Sequence, residues 1–281
     1  MNYHIVTIFP DMFNSYFNES IIGSAIKNKI ISVNTYALRE YTTDKHRRVD
    51  GKPFAGGPGM VMWVDPIVNC VEKIKINIEK KYKKDTNNYD KKIESLNNKL
   101  GVLIGKNYSE KKNIEKNKEK INKIKLEIKD LKKINKTKIL FVHFNPGAEK
   151  FTTKIAKDIS YNYTDIIFIC GRYEGVDVRV NEIYKGLEIS IGDYVLTGGE
   201  LPTMIMIDSI SRQVEGVLNK IESLEENRIS SHKVYARPEI YEYKTKTKNK
   251  KIKTVKYEVP KVLLSGNHKE IEKWKLEQNM L

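Results

Sequence analysis

The chain of 281 residues carries 51 Lys and Arg against 36 Asp and Glu, a formal net charge of +15, with 40% hydrophobic residues. That length allows about two domains and a sizeable core, and the apolar content excludes wholesale disorder. No run of 18 uncharged apolar residues is present, which excludes a membrane-spanning helix, and two cysteines are too few for a disulfide framework or a Cys-only zinc site.

In chain order, Tyr3–Phe9 reads as a strand and Phe13–Lys27 as one or two helices. The N-terminus lacks the basic start and cleavage site of a signal peptide. With the reduced-looking cysteine usage, the expectation is a cytoplasmic protein whose positive charge seeks a polyanionic partner. Ile30–Leu38 alternates apolar and polar residues as a strand does, a polar loop runs to Pro58, and Pro66–Ile76 reads as a helix. Lys138–Phe144 is a buried strand, Thr152–Ser160 a helix, and Asp165–Cys170 a continuous apolar strand. Leu187–Ile191 and Tyr194–Thr197 read as short strands around Gly192 and Asp193, and a helix follows from about Leu201 to Glu215. Residues 215–237 read as an irregular linker, and Lys269–Gln278 as a final helix. Alternation of helices with continuous apolar strands predicts an α/β fold with a parallel sheet.

The charge is unevenly placed. Residues 71–138 hold 22 lysines against 10 acidic residues, leaving 29 basic and 26 acidic in the rest of the chain. Within this segment Ile114, Ile121, Ile124, Ile128 and Leu131 recur at helical spacing, which predicts two amphipathic helices turning back near Gly101–Gly105. Two readings stand: a solvated insertion, or an arm that draws in a nucleic-acid backbone by counterion release.

Three glycine-rich loops follow or flank strands: Phe54–Met60, Cys170–Gly175 and Ser190–Pro202. Glycine lets backbone N–H and C=O groups approach a ligand closely, and ligands of open parallel sheets bind beyond the carboxyl ends of strands. None of the loops has the dinucleotide fingerprint or the Lys-Ser/Thr ending of a phosphate loop, which disfavours a phosphate-rich cofactor.

Longer motifs are more specific. Phe9-Pro10-Asp11-Met12-Phe13, His46–Asp50, Gly56–Met60, Cys170–Gly175, Ser190–Pro202, Asp208–Arg212, Tyr235–Glu239 and Val259–His268 occur in this order. With them the chain resembles the bacterial tRNA (guanine-N1)-methyltransferases, the TrmD branch of the SPOUT methyltransferases. The resemblance covers nearly everything except the basic insertion and a smaller one near Tyr243–Val255. It implies a parallel-sheet SPOUT domain with a deep C-terminal trefoil knot over 1–214, interrupted by the Lys-rich helical insertion at 76–137. It further implies a linker at 215–235 and a shortened, mainly α-helical tRNA-binding domain at 236–281. The implied activity is methylation of N1 of the guanine 3′ to the anticodon in tRNA by a homodimer whose active sites lie at the interface, away from any membrane.

Carried across residue by residue, the resemblance implies a pocket for S-adenosyl-L-methionine in three parts. Phe144, Asn145 and Pro146 form one, and Gly171, Tyr173 and Glu174 the second. The third comprises Ile191, Gly192, Asp193, Tyr194, Val195, Leu196, Gly198, Gly199 and Pro202. His46, Asp50 and Gly59 match positions around the target nucleotide; no metal ligands are implied, and a role for Mg²⁺ is left open. Methylating guanine N1 requires removal of its proton and a cation near O6, and Arg212 matches the cation. The family's linker places an aspartate as base in a Ser-x-x-x-Asp pattern, where this chain reads Ser223-Leu224-Glu225-Glu226-Asn227. An asparagine amide accepts no proton at neutral pH, so the role of Asn227 passes to Glu226 or Glu225, with Glu226 favoured, or else the base matters less than the cation and the donor geometry. The alternatives are a catalytically weak or inactive homologue that binds donor and tRNA, and a SPOUT enzyme aimed at ribosomal RNA. The match ends at Leu281, short of typical members, and the Lys-rich insertion is expected to supply some of the phosphate contacts.

Overall fold

The computed structural model describes residues 1–54, 56–109, 114–134, 138–218, 233–246 and 252–279. The chain separates into two compact units, residues 1–217 and 218–281.

In the first unit, β1 (Asn2–Thr7), a 3₁₀ turn (Pro10–Phe13), α1 (Asn14–Phe17), α2 (Ser20–Lys27) and β2 (Ser32–Ala37) come first. The two-residue strands β3 (Asp50–Gly51) and β4 (Val61–Met62) pair antiparallel. Two long helices follow, α3 (Val64–Ser109) and α4 (Ile114–Ile134). The unit continues through β5 (Ile139–Phe144), α5 (Thr153–Asn162), β6 (Asp165–Ile169), α6 (Arg179–Ile183), β7 (Leu187–Ile189) and α7 (Glu200–Ser211). One five-stranded sheet in the order β2-β1-β6-β5-β7 is formed, and each of its pairings is parallel.

The central strands are apolar on both faces because both are covered. In β6 every residue is buried. Its Ile166 and Phe168 face a core shared with Ile22 of α2, Ile159 of α5 and Ile207 and Ile210 of α7. Ile167 and Ile169 face the opposite core, with Ile67, Val71 and Ile74 of α3 and Val180 of α6. This period-two division between two helical layers is what a continuous run of β-branched residues specifies. Thr152 caps α5, its hydroxyl accepting from the Ile155 N–H at 3.3 Å.

Two sequence expectations need correction. Tyr194–Thr197 is a loop rather than a strand: Tyr194 and Val195 are exposed, and the stretch is fastened at Gly198, which bridges Arg172. The basic segment does not turn at Gly101–Gly105, because α3 runs through both glycines to Ser109. An interior helical glycine costs about 1 kcal/mol. Packing against α4 offsets that cost, with Ile93 and Leu96 meeting Ile124 and Ile128 and Lys92 pairing with Glu127 at 3.0 Å.

The second unit contains an antiparallel hairpin, β8 (Ile240–Lys246) and β9 (Ile252–Glu258), then α8 (Lys261–Leu264) and α9 (His268–Asn279). The hairpin therefore shares a unit expected to be mainly α-helical. Tyr241 and Tyr243 of β8 share a face with Val255 and Tyr257 of β9, the period of two that strands rather than helices require. Tyr235 and Trp274 pack with ring centroids 6.3 Å apart.

Candidate active site

The carboxyl ends of β5, β6 and β7 open into three loops joined through their backbones. Asn145 N–H donates to the Ile189 carbonyl at 3.1 Å, and Phe151 N–H to that of Ser190 at 2.7 Å. Gly199 N–H donates to the Gly171 carbonyl at 2.9 Å, closing the third side. Between the loops lies a cavity of about 550 Å³. A Cβ on Gly199 would fall 2.8 Å from Cys170 Cα, so this wall can only be bare backbone.

Most of the residues assigned to the donor pocket line this cavity. Phe144, Asn145 and Pro146 come from the loop after β5, and Gly171, Tyr173 and Glu174 from the loop after β6. Ile191, Tyr194, Val195, Leu196, Gly198, Gly199 and Pro202 complete it. Gly192 and Asp193 belong to the same loop but do not line the space; the Asp193 carboxylate accepts from Lys150 Nζ at 2.5 Å.

The loop carrying Gly59 meets this wall. Glu174 N–H donates to the Met60 carbonyl at 3.0 Å, and Met62 N–H to that of Gly175 at 3.0 Å. Gly59 has φ +84° and touches the Glu174 side chain, which a Cβ would approach to 2.4 Å. Asp50 pairs with Met62 across β3–β4 and takes the Tyr173 hydroxyl; burial, and then this carboxylate, push the Tyr173 pKa upward. Asp50, Gly59, Tyr173 and Glu174 are thus gathered at the rim. His46 lies apart from the cavity in an exposed turn, its N–H bonded to Asp44 Oδ2 at 2.8 Å. Hydrogen bonds from Arg48 hold the Asp44 carboxyl well below the usual carboxylate range.

Arg212 is placed elsewhere. Thr7, at the carboxyl end of β1, donates to Glu200 at the start of α7 at 2.8 Å, while Tyr3, near the amino end, bonds Ser211 at 2.8 Å. Helix α7 therefore runs antiparallel to β1 and carries Arg212 about 15 Å along its axis from Pro202, its residue in the cavity wall. The Arg212 N–H caps the helix on the Asp208 carbonyl at 3.1 Å. Tyr16 donates to the Asp208 carboxylate; burial, then that contact, raise its pKa to about 12. Within one protomer the cavity and Arg212 do not meet. Glu226 and Asn227 lie outside the described residues.

Three residues without an assigned role also belong to the site. Arg172 lines the cavity, its Nε donates to Glu200 Oε2 at 2.8 Å, and Glu200 Oε1 accepts from Thr7. Arg172 and Glu200 are charged residues inside two of the three glycine runs, which is a sequence signal for them; Thr7 has none.

A family model described as tRNA (Guanine-1)-methyltransferase TrmD matches residues 1–95 and 118–281. The chain belongs to the TrmD family. The unmatched residues 96–117 include the far end of α3 and the start of α4. The tRNA (guanine-N(1)-)-methyltransferase of Clostridioides difficile is 36% identical over 280 residues, covering 100% of this chain and 93% of that protein. That of Lachnoclostridium phytofermentans is 35% identical over 286 residues, covering 100% and 87%. The crystal structure of the tRNA (m1G37) methyltransferase from Aquifex aeolicus is similar with a TM-score of 0.59 and 27% identity, over 99% of this chain and 89% of that one. Membership makes the chain a methyltransferase, of a family whose methyl donor is S-adenosyl-L-methionine.

Proposed function

We propose that the chain transfers a methyl group to N1 of the guanine 3′ to the anticodon of tRNA, as a homodimer with a trefoil-knotted donor site. The observation that carries this reading is the cavity walled by three loops, the one after β7 bonded to each of the other two, built from residues of the family's motifs.

The cavity's chemistry fits the donor. Phe144, Ile191 and Leu196 offer apolar surface for a flat base, the glycine walls expose backbone edges, and Glu174 supplies a carboxylate facing a cationic molecule. When bound, that donor supplies a methyl group on a positively charged sulfur. Segment 190–199 is fastened both to the loop after β5 and to Gly171, an arrangement consistent with the chain passing through itself there.

Glu226 takes the N1 proton, and the Arg212 fork stabilises negative charge developing at O6. Because α7 carries Arg212 to the opposite end of the sheet, the Arg212 that serves a given cavity comes from a second copy. Phe9, Met12, Leu201 and Ile205 are exposed apolar side chains around α7 and the loop after β1, suited to being covered by that copy. Sedimentation of the purified chain at micromolar concentration is expected to give a dimer.

Labelled donor incubated with tRNA transcripts bearing guanine or adenine at the target position tests the reaction: transfer to guanine alone is expected, and no transfer to either refutes it. Asn227 motivates one other reading, a donor- and tRNA-binding protein that does not catalyse, since loss of a positioned base costs about 10²–10⁴ in rate. Donor binding without transfer would support that reading. Full activity in Glu226→Gln would end the assignment of Glu226.

A further inference from the structure

Glu200 is fully buried at the first position of α7. A carboxylate is rarely so placed unless its charge is paired and its oxygens are bonded. Both conditions are met: Thr7 Oγ1 donates to Oε1 and Arg172 Nε to Oε2, each at 2.8 Å. Thr7 is in turn fixed by accepting the Phe9 N–H at 3.0 Å. The first oxygen thereby anchors to the sheet and the second fixes an arginine.

The other side of that arginine faces the donor loop. Arg172 Nη1 donates to the Thr197 carbonyl at 3.3 Å and to its hydroxyl at 3.4 Å, and the guanidinium lies over the Phe9 ring at 4.8 Å. Gly198 passes so close that a Cβ there would lie 2.3 Å from Arg172 Nε. The loop therefore rests on the guanidinium, and its neighbours Leu196, Gly198 and Gly199 are cavity wall. Lysine at 172 could not reproduce this, because a point charge cannot donate to Glu200 and Thr197 as the two sides of one plane.

We propose that Glu200 and Arg172 are positioning residues for the methyl donor. The buried carboxylate fixes the guanidinium plane, and that plane holds the Thr197–Gly199 backbone in the shape the donor needs before it arrives. Preorganisation of this kind raises affinity by removing the cost of ordering the loop. The pair acts through the loop, so its loss affects the donor more than tRNA.

This inference rests on the donor-site reading above, and calorimetry with S-adenosyl-L-methionine separates the two. If the wild-type protein binds no donor, the donor-site reading itself fails. If it binds, Glu200→Gln and Arg172→Lys are expected to weaken donor binding roughly 10-fold, the order of losing one charge-assisted hydrogen bond. KM for the donor should rise by a similar factor, with KM for tRNA within about twofold. A merely structural role would lower the melting temperature and the titrated site fraction but leave the Kd of the remaining sites unchanged, and that result overturns the proposal. Should Glu200→Gln fail to fold, hydrogen exchange in Arg172→Lys decides. Faster exchange of a peptide spanning residues 191–199, suppressed by saturating donor, is expected; wild-type exchange rates there refute the role.

Discussion

His143 sits on β5 at the floor of the cavity, nearly buried, with Nε2 donating to the Tyr184 carbonyl at 2.8 Å. Burial pushes its pKa below the ordinary value of 6.5, against weaker upward pulls from that carbonyl and from Glu188. The folded protein therefore holds the imidazole neutral, while the unfolded chain takes up a proton below about 6.5. Stability from this group is complete above that value and is lost as pH falls through it towards the lowered folded pKa. Urea unfolding should show a free energy that falls between pH 7.5 and 5.5, with a slope of at most about 1.4 kcal/mol per pH unit. His143→Gln should flatten that slope, and an unchanged slope would remove His143 as its source. A second residue-scale prediction follows from the placement of Arg212 at the far end of α7 from its own cavity. Arg212→Ala should lower kcat about 10²–10³-fold, the usual loss for one charge-stabilising donor. The donor Kd measured by calorimetry should stay within twofold, and a tenfold rise would mean that Arg212 acts on the donor instead.

Helix α3 serves two packing environments, and the change between them falls at Tyr82. Up to Ile78 its apolar residues enter the core under the sheet, while further along Ile93 and Leu96 pack against α4. At the junction the Tyr82 hydroxyl donates to Asp165 Oδ2 at 2.8 Å, and His4 Nε2 lies 3.2 Å from Oδ1. Burial opposes the Asp165 charge, but hydrogen bonds from His4, Tyr82 and Thr164 outweigh it and hold its pKa below the ordinary value. Its stabilisation is present above about pH 3.9 and lost as pH falls through the lowered value, a more acidic window than that of His143. Tyr82→Phe should cost about 1–2 kcal/mol in urea unfolding at pH 7, the penalty of one unmatched buried hydrogen bond. No change would show that α3 is not anchored there. None of this was legible in the sequence, since Tyr82 and Asp165 are 83 residues apart. What was legible were elements whose pattern is local and doubly buried: β6 from its unbroken apolar run, and α5 and α7 from their apolar spacing. Tyr194–Thr197 misled because Tyr, Val and Thr favour strands, yet a strand needs a neighbour's ladder and this run pairs with no strand, lining the open cavity instead. The cavity-lining loops could be read from their glycines and the family motifs. The Arg172–Glu200 pair beside them could not, because only the fold brings a loop residue and the first residue of α7 within 2.8 Å.

The charge of the whole molecule is concentrated on the α3–α4 hairpin, and its placement gives that concentration a direction. The hairpin leaves the body at the amino ends of the strands, where Lys81 donates to Asn2 at 3.1 Å and Tyr82 to Asp165. Arg212 lies at that same end, through Tyr3 and Ser211. The hairpin and Arg212, the residue proposed to act at guanine O6, thus share one end of the sheet. Lys91, Lys99 and Lys120 from both helices line a groove together with Glu94, Val102, Leu103 and Ile124. Part of this groove falls within the 96–117 stretch that the family model does not match. A solvated hairpin and a phosphate-binding one differ in salt dependence. Replacing the three lysines by glutamine should weaken tRNA binding and reduce the slope of log K against log salt by about one unit per lysine in contact with phosphate. Donor affinity and kcat at saturating tRNA should not move, because the cavity lies at the carboxyl end of the sheet. Filter binding of the triple variant and wild type from 50 to 300 mM salt decides it, at roughly the range where six to ten phosphate contacts cost 10³–10⁵ in affinity. Parallel lines of equal slope would leave the hairpin as a solvated insertion and the tRNA held by the rest of the molecule.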